Sequence, residues 1–369
     1  FFVTDPREGE EDFSPFEKLR ASARIVYNRE ARRKFGALLR ATEPDLIQLH
    51  ILYDRLTASV LHEIVGGETP VVMTVHDYHL LCPRHILFMH GEPCERCAGG
   101  RFHHAISNRC VRDSYLVSTL RAFVSYTWKW SRIFERTVDI FVTPSRFMRD
   151  KLVEHGFDAR RIVHLPYLFA VPPEEALPEP AAGTYALYFG RLVASKGIET
   201  LIEAWKGLPS TFPIPLKIAG TGPMESGIRE WIAREGITQI ECLGYLEGEE
   251  LERIVEGCRF VVYPSEWYEV FGLVIYEAYL AGKPILVSNR GGMPEMVDSG
   301  STGLIFRAGD RDDLRQKILM LGSLDDAAVV EMGRNARMKL IEEYHPDRLY
   351  PRLMAIYEQA GEVRKTRKR

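Results

Sequence analysis

The chain has 369 residues, 46% of them hydrophobic and 27% charged, with a net charge of −3. Such a composition excludes collagen-like, disordered and low-complexity chains, and 48 basic against 51 acidic residues give no global field for nucleic acid. No apolar run reaches the roughly 20 residues that span a bilayer, and the length suits two domains.

Taken in chain order, Phe1–Asp12 reads as a strand remnant and a charged loop, with a helical region after it. Runs rich in Val, Ile, Leu, Phe and Thr then predict strands at Asp45–Tyr53, Pro70–Tyr78, Val138–Ser145 and Arg161–Tyr167. Near-continuous apolar runs of this kind suit parallel strands covered on both faces. The apolar, basic stretch Ser114–Phe134 reads as one long helix whose Leu116, Leu120, Phe123, Trp128, Trp130 and Phe134 serve ordinary packing. Membrane contact or an acceptor groove are its competing readings. Four prolines in Val171–Pro180 cannot continue a helix or sit inside a sheet, so a semi-rigid linker and a domain boundary are expected near residues 170–183.

The second half repeats the rhythm. Strands are predicted at Tyr185–Leu192, Pro215–Gly220, Ile240–Tyr245, Arg259–Pro264, Pro284–Ser288 and Gly303–Phe306. Helical patterns at Ile198–Lys206, Glu225–Arg234, Glu249–Glu256 and Gly272–Ala281 separate them, which argues for doubly wound parallel sheets. A helix is expected at Asp347–Gln359. The last residues, with Arg364, Lys365, Arg367, Lys368 and Arg369, read as a solvated tail, attraction to acidic headgroups being the alternative.

Three segments near predicted strand ends carry chemistry, where open α/β sheets place their ligands. In Gly190-Arg-Leu-Val-Ala-Ser-Lys-Gly197, Arg191 and Lys196 stand beside a helix start, a natural anion site, although surface charge explains the pair as well. Ala219-Gly-Thr-Gly-Pro223 turns through Gly220 and Gly222, for close ligand approach or for a tight turn alone. The third, Pro264–Glu277, spaces Glu269 and Glu277 eight residues apart around Phe271-Gly272-Leu273. Carboxylates accept paired hydroxyls of a sugar, and Glu277 is expected beside a core stripe of Val274, Ala278 and Ala281, where an unpartnered charge is costly.

These segments, in this order, resemble glycosyltransferase family 4, which are retaining, nucleotide-sugar-dependent enzymes. Leu243-Gly-Tyr-Leu246, Glu277-Ala-Tyr-Leu-Ala-Gly-Lys-Pro284, Gly291-Gly-Met-Pro-Glu295 and Thr302-Gly-Leu-Ile305 extend the match through nearly all of residues 185–310. The resemblance implies an α/β GT-B fold, two doubly wound Rossmann-like domains facing a cleft. Residues 1–170 would form the acceptor-side domain, joined by the terminal helix 346–369, and residues 183–345 the donor domain. By resemblance, Arg191 and Lys196 clamp the donor diphosphate, Glu277 binds the ribose, and Glu269 with the backbone of Phe271, Gly272 and Leu273 holds the transferred sugar. Gly190, Gly220 and Gly222 line the donor site, Leu243 and Tyr245 flank the base, and His76 reaches the donor sugar across the cleft. Asp77 is left as a local structural partner, and the family-like Thr143-Pro-Ser-Arg146 is placed at the cleft rim. The leaving phosphate can take the acceptor proton, so neither a separate general base nor a catalytic cofactor is expected. A two-carboxylate hydrolase is the poorer reading of the Glu pair. Another GT-B enzyme, an epimerase or a phosphorylase, and a non-catalytic nucleotide-sugar-binding protein are the alternatives.

The expected partners are a UDP- or GDP-sugar and a glycan, lipid-linked or small-molecule acceptor in cell-surface glycan assembly. The expected place is the cytoplasm, with peripheral contact at the inner membrane face. Four of the six cysteines, Cys82, Cys94, Cys97 and Cys110, fall in a glycine-rich insertion at 82–110 with the spacing C-x11-C-x2-C-x12-C. That spacing favours a structural zinc over disulfides, an iron–sulfur cluster or free thiols, with His85, His90, His103 and His104 as substitute ligands. Cys242 and Cys258 read as core residues. Residues 1–40 hold no glycine-rich loop of the kind the family carries, so the N-terminus is expected to lack its first strand and loop.

Overall fold

The computed structural model describes residues 3, 22–53 and 56–367. The features expected over Phe1–Asp12 therefore lie, Val3 apart, outside the described residues, as do Lys368 and Arg369. The chain forms two compact units. The first comprises the chain up to Leu87, Cys94–Leu165 and the chain from Pro351; the second comprises Phe88–Pro93 and Pro166–Tyr350.

The first unit is built on a parallel sheet of β1 (Ile47–Leu49), β2 (Val71–Thr74), β5 (Ile140–Thr143) and β6 (Ile162–His164), in the order β1-β2-β5-β6. The central strands β2 and β5 are buried along their whole length, as their unbroken apolar runs require. Between them, a short antiparallel hairpin of β3 (Phe88–Met89) and β4 (Glu92–Pro93) belongs to the second unit. The expected Ser114–Phe134 helix is two pieces. Ser114 caps Tyr115–Ser131 by accepting from the Val117 amide, and Arg132, in left-handed conformation, starts the separate turn Ile133–Thr137. In Thr143-Pro-Ser-Arg146, Ser145 accepts from the Met148 amide at 3.2 Å and so starts the helix Arg146–Glu154.

The second unit holds a six-stranded parallel sheet: β7 (Tyr185–Phe189), β8 (Leu216–Ala219), β9 (Ile240–Gly244), β10 (Cys258–Tyr263), β11 (Ile285–Ser288) and β12 (Gly303–Phe306). Its order, β9-β8-β7-β10-β11-β12, reverses direction between β7 and β10. Cores lie on both faces, Trp205, Leu201 and Ile318 on one and Ile275, Tyr279 and Leu340 on the other. Each such fully buried large side chain contributes about 1.5–3 kcal/mol relative to exposure. The proline-rich segment is not a free linker: Lys283 Nζ donates to the Ala181 carbonyl at 2.7 Å, and Arg337 donates to that of Pro178 at 2.5 Å.

The basic C-terminus is not a solvated tail either. The helix Pro346–Arg367 enters the first unit at Pro351, where Tyr357 bonds Gln48. Arg364, 5% exposed, and Arg367 both close on Asp139, at 2.8 and 2.9 Å. Lys365 stays in water, beside Glu362.

Candidate active site

Open α/β sheets bind ligands where strand order reverses, because the crossovers on the two sides diverge there and leave a crevice. In the second unit that point lies between β7 and β10, and the loops leaving those strands carry Gly190–Gly197 and Pro264–Gly272. The two loops are fastened together: the Ser195 carbonyl accepts from the amides of Glu266 at 2.9 Å and Trp267 at 3.3 Å. Gly197 (φ +69°) has no room for a side chain, since a Cβ there lies 2.1 Å from the Pro264 carbonyl oxygen.

This interlock sets Lys196 against Glu269, two residues separated by 73 positions and both buried. Lys196 Nζ donates to Glu269 Oε1 and, at 2.8 Å, to the Tyr263 hydroxyl. The same Oε1 accepts from Tyr263 at 2.6 Å and from Ser265 at 2.7 Å. The Lys196 ammonium also lies 5.2 Å from the Trp267 ring centroid. Burial, the Glu269 charge and that hydrogen bond together push the Tyr263 hydroxyl well above its usual range, so it stays a neutral donor. All three bonds fall on one oxygen, Oε1. One of the three Lys196 N–H groups keeps its capacity.

Arg191 stands exposed on the same loop. The helices Ile198–Lys206 and Leu273–Leu280, which follow β7 and β10, both start on glycines, Gly197 and Gly272, with no side-chain cap. Their first amides point toward the crevice with the positive end of the helix dipole, an arrangement suited to an anion. Gly220 (φ +140°) leaves β8, and a Cβ there lies 1.9 Å from the Gly190 carbonyl oxygen, so these glycines pack one strand end against the next; a Cβ on Gly222 meets the Leu192 carbonyl in the same way.

Glu277 borders the expected core stripe but turns to solvent. Its helix buries Ile275, Tyr276, Ala278 and Tyr279, Ala281 joins the same core with Val274 packed against it, and Glu277 lies beside them on the exposed face with Leu273. Partial desolvation still raises its carboxyl above the ordinary range, although solvent reaches the side chain. Phe271 is a core residue, its ring 5.1 Å from that of Tyr167, so only its backbone is available to a ligand. Leu243 is half-buried, and Tyr245 is exposed with its hydroxyl on Glu247 at 2.7 Å.

In the first unit, His76 follows β2 and its Nε2 lies 2.7 Å from His50 Nδ1 at the end of β1. His50 escapes sequence reasoning because the two are 26 positions apart; adjacent parallel strands bring them together. Burial, then the His50 charge, lowers the His76 pKa. Asp77 is held locally, accepting from Tyr53 at 2.8 Å and from the His79 amide and ring. Burial pushes its carboxyl up, but the His79 contacts and the nearby His85 outweigh it and bring Asp77 to about 2.

The four insertion cysteines are near neighbours with no disulfide. Burial, then Cys82, Cys110 and Cys94, push the Cys97 thiol up to about 12. Cys97 and Cys110 share a small core with Phe102 and Ala122. They do not form a ready metal cage: among the described residues no group of three or more His, Cys, Asp or Glu is disposed to hold an ion.

Comparison with known proteins accounts for both units. The profile of "Glycosyl transferases group 1" matches residues 174–339, and that of "Glycosyltransferase Family 4" matches residues 2–167. The chain belongs to the family 4-type glycosyltransferases. It is 33% identical over 202 residues to O-antigen chain mannosyltransferase B of Escherichia coli, covering 51% of this chain and 52% of that one. It is 28% identical over 308 residues to glycogen synthase of Mycobacterium tuberculosis, covering 83% and 66%. The GT-B fold is shared with the Anabaena protein Alr3699/HepE, solved in complex with UDP and glucose, at a TM-score of 0.60 and 18% identity over 93% of this chain and 82% of that one. The chain spans 38%, 45% and 52% of the length of three curated relatives.

Proposed function

We propose that this glycosyltransferase moves a sugar, with retention, from a UDP- or GDP-sugar to a glycan, lipid-linked or small-molecule acceptor in cell-surface glycan assembly, working in the cytoplasm at the inner membrane face. The observation that carries the reading is the buried Lys196–Glu269 pair at the reversal point of the second sheet, beside two helix starts without side-chain caps. A UDP complex of the Anabaena relative supports a UDP-sugar in particular.

In this reading the exposed Arg191 and the remaining N–H of Lys196 meet the donor diphosphate. As the glycosidic C–O bond breaks, negative charge grows on the leaving phosphate, and cations already fixed in place stabilise that state more than the ground state. Glu269 Oε2 accepts a hydroxyl of the transferred sugar, Glu277 the ribose hydroxyls, and Leu243 and Tyr245 flank the base. The leaving phosphate takes the acceptor proton, so no metal and no further carboxylate has a part in the step. A thermal-shift panel of UDP-, GDP- and ADP-sugars, followed by incubation with labelled donor, tests it. Stabilisation by one donor class and transfer or slow hydrolysis are expected. Isomerised donor or binding without turnover replaces the transferase reading, and no stabilisation by any nucleotide sugar overturns the donor site.

A structural zinc on Cys82, Cys94, Cys97 and Cys110 is proposed alongside. Its support is the ligand spacing, and the backbone around Arg84–Leu87 favours the Cys82 thiolate, although burial pushes that thiol up overall. Binding requires the thiols to close in and lose their protons. Metal analysis of protein purified without added zinc decides it, and less than about a tenth of an equivalent ends the zinc reading.

A further inference from the structure

Packing was the favoured fate of the apolar residues in Tyr115–Ser131, yet three of them stand in water. Leu116, Phe123 and Trp130 are 81%, 51% and 72% exposed. They recur every seven residues, so they line one face of the helix over about 21 Å, at 1.5 Å per residue. Tyr115, 60% exposed, adds an aromatic ring at the start of the ridge. The Trp130 ring is supported by stacking on Tyr126, with centroids 5.1 Å apart. The opposite face of the same helix is buried through Ser118, Ala122 and Ser125, and Ala122 packs on the cysteine insertion. The ridge is therefore presented by a fixed platform. Isolated exposed apolar residues need no explanation, but a continuous row of them does.

The charge around the ridge identifies what covers it. Arg109, Arg112 and Arg132 stand at the two ends of the ridge, in a chain whose net charge is −3; Arg109 lies 3.4 Å from Asp113 and Arg132 3.7 Å from Glu135, while Lys129 turns away to the Gly99 carbonyl. Arg109 and Arg112 lie just before the helix and Arg132 just after it, all exposed. A second copy of the chain seated on this face would bring like charges together at both ends. An anionic lipid surface meets both requirements, apolar contact along the row and negative charge at its ends. Trp130 and Tyr115 suit the headgroup boundary, where an amphipathic ring has one side apolar and its polar edge wet. Among the described residues no helix is long and apolar enough to cross a membrane, so the contact is one that lies on the surface.

We propose that the face of Tyr115–Ser131 bearing Leu116, Phe123 and Trp130 docks on anionic phospholipid bilayers, with Arg109, Arg112 and Arg132 meeting the headgroups. The inference does not rest on the donor assignment, because every donor residue in the second unit lies outside this helix. The test is co-sedimentation of the full chain with phosphatidylglycerol–phosphatidylcholine vesicles and with pure phosphatidylcholine vesicles. Binding to the anionic vesicles is expected, weakened by salt. Phe123→Asp and Trp130→Asp should each weaken it about tenfold or more, since each removes a large apolar contact and adds a repelled charge. Because both side chains are exposed, unchanged thermal stability of the variants separates lost docking from lost folding. Three results overturn the proposal: no binding to anionic vesicles at low salt, equal binding to neutral vesicles, or binding that survives both ridge substitutions. A ridge-dependent dimer without lipid, seen by light scattering, overturns it in favour of a second copy.

Discussion

Arg364 donates to Oδ2 of Asp139 across 225 positions of sequence, and the carboxylate it reaches has no solvent exposure at all. The same Oδ2 accepts from the Val71 amide at 2.9 Å, while Arg367 takes Oδ1. One acid thus ties the start of β2 to the last helix.

Breaking this tie leaves a charge buried without its partner, which costs about 3–5 kcal/mol. Arg364→Met should therefore lower the urea midpoint of the first unit by a large step. Arg367→Met, whose side chain is more exposed, should cost less. Equal, small effects from both variants contradict the buried-pair account.

The Lys196–Glu269 pair yields a different prediction, because it sits in the proposed site. Glu269→Gln keeps the shape and removes the charge, so turnover should fall by about 10²–10³-fold with a smaller loss of stability. Lys196→Met should reduce both turnover and nucleotide affinity. Steady-state kinetics with the donor found in the panel separates the two, and wild-type turnover in either variant removes the pair from the mechanism.

Arg191→Ala and Glu277→Ala each remove one exposed charged group proposed to meet the donor. Nucleotide-sugar affinity should drop about 10–100-fold, the scale of one hydrogen bond to a charged partner. Calorimetric titration reads this directly, and unchanged affinity in both relocates the site.

His50 and His76 share one short contact, so they titrate as a coupled pair. Burial holds both below the ordinary histidine range. In His50→Ala the His76 midpoint, followed by NMR of the ring protons, should rise, because a neighbouring positive charge has gone. A fall in the midpoint contradicts the assignment.

Stability should also decline in acid. Burial and the cations Arg146 and Arg352 bring His164 to about 4. The unfolded chain then binds more protons than the folded one between about pH 6.5 and 4, so stability is full above that window and lost as pH falls through it. A melting-temperature series from pH 7.5 to 4 should show this slope, and His164→Gln should flatten it.

Much of the fold was legible because parallel strands announce themselves as short apolar runs between helical patterns. All ten predicted strands are present; most are trimmed at one or both ends, where hydrogen-bonding partners run out, whereas Gly303–Phe306 keeps its predicted bounds and β10 starts one residue earlier, at Cys258. The donor loops were legible for the same reason, since they follow β7 and β10. Contacts set by tertiary structure were not. Nothing local pairs His50 with His76, or Asp139 with Arg364. Val274, Ala278 and Ala281 pack in or against the core as their spacing suggests, but that spacing does not show that Glu277 beside them turns to the exposed side with Leu273. The Leu116–Phe123–Trp130 ridge was misread because apolar residues on a long helix ordinarily face inward.

The anchoring of the last helix on Asp139 has a bearing on biosynthesis. A ribosome delivers Asp139 more than two hundred residues before either of its arginines, so the whole second sheet can close while that carboxylate waits. The first unit gains this tie only after the second sheet has been synthesised.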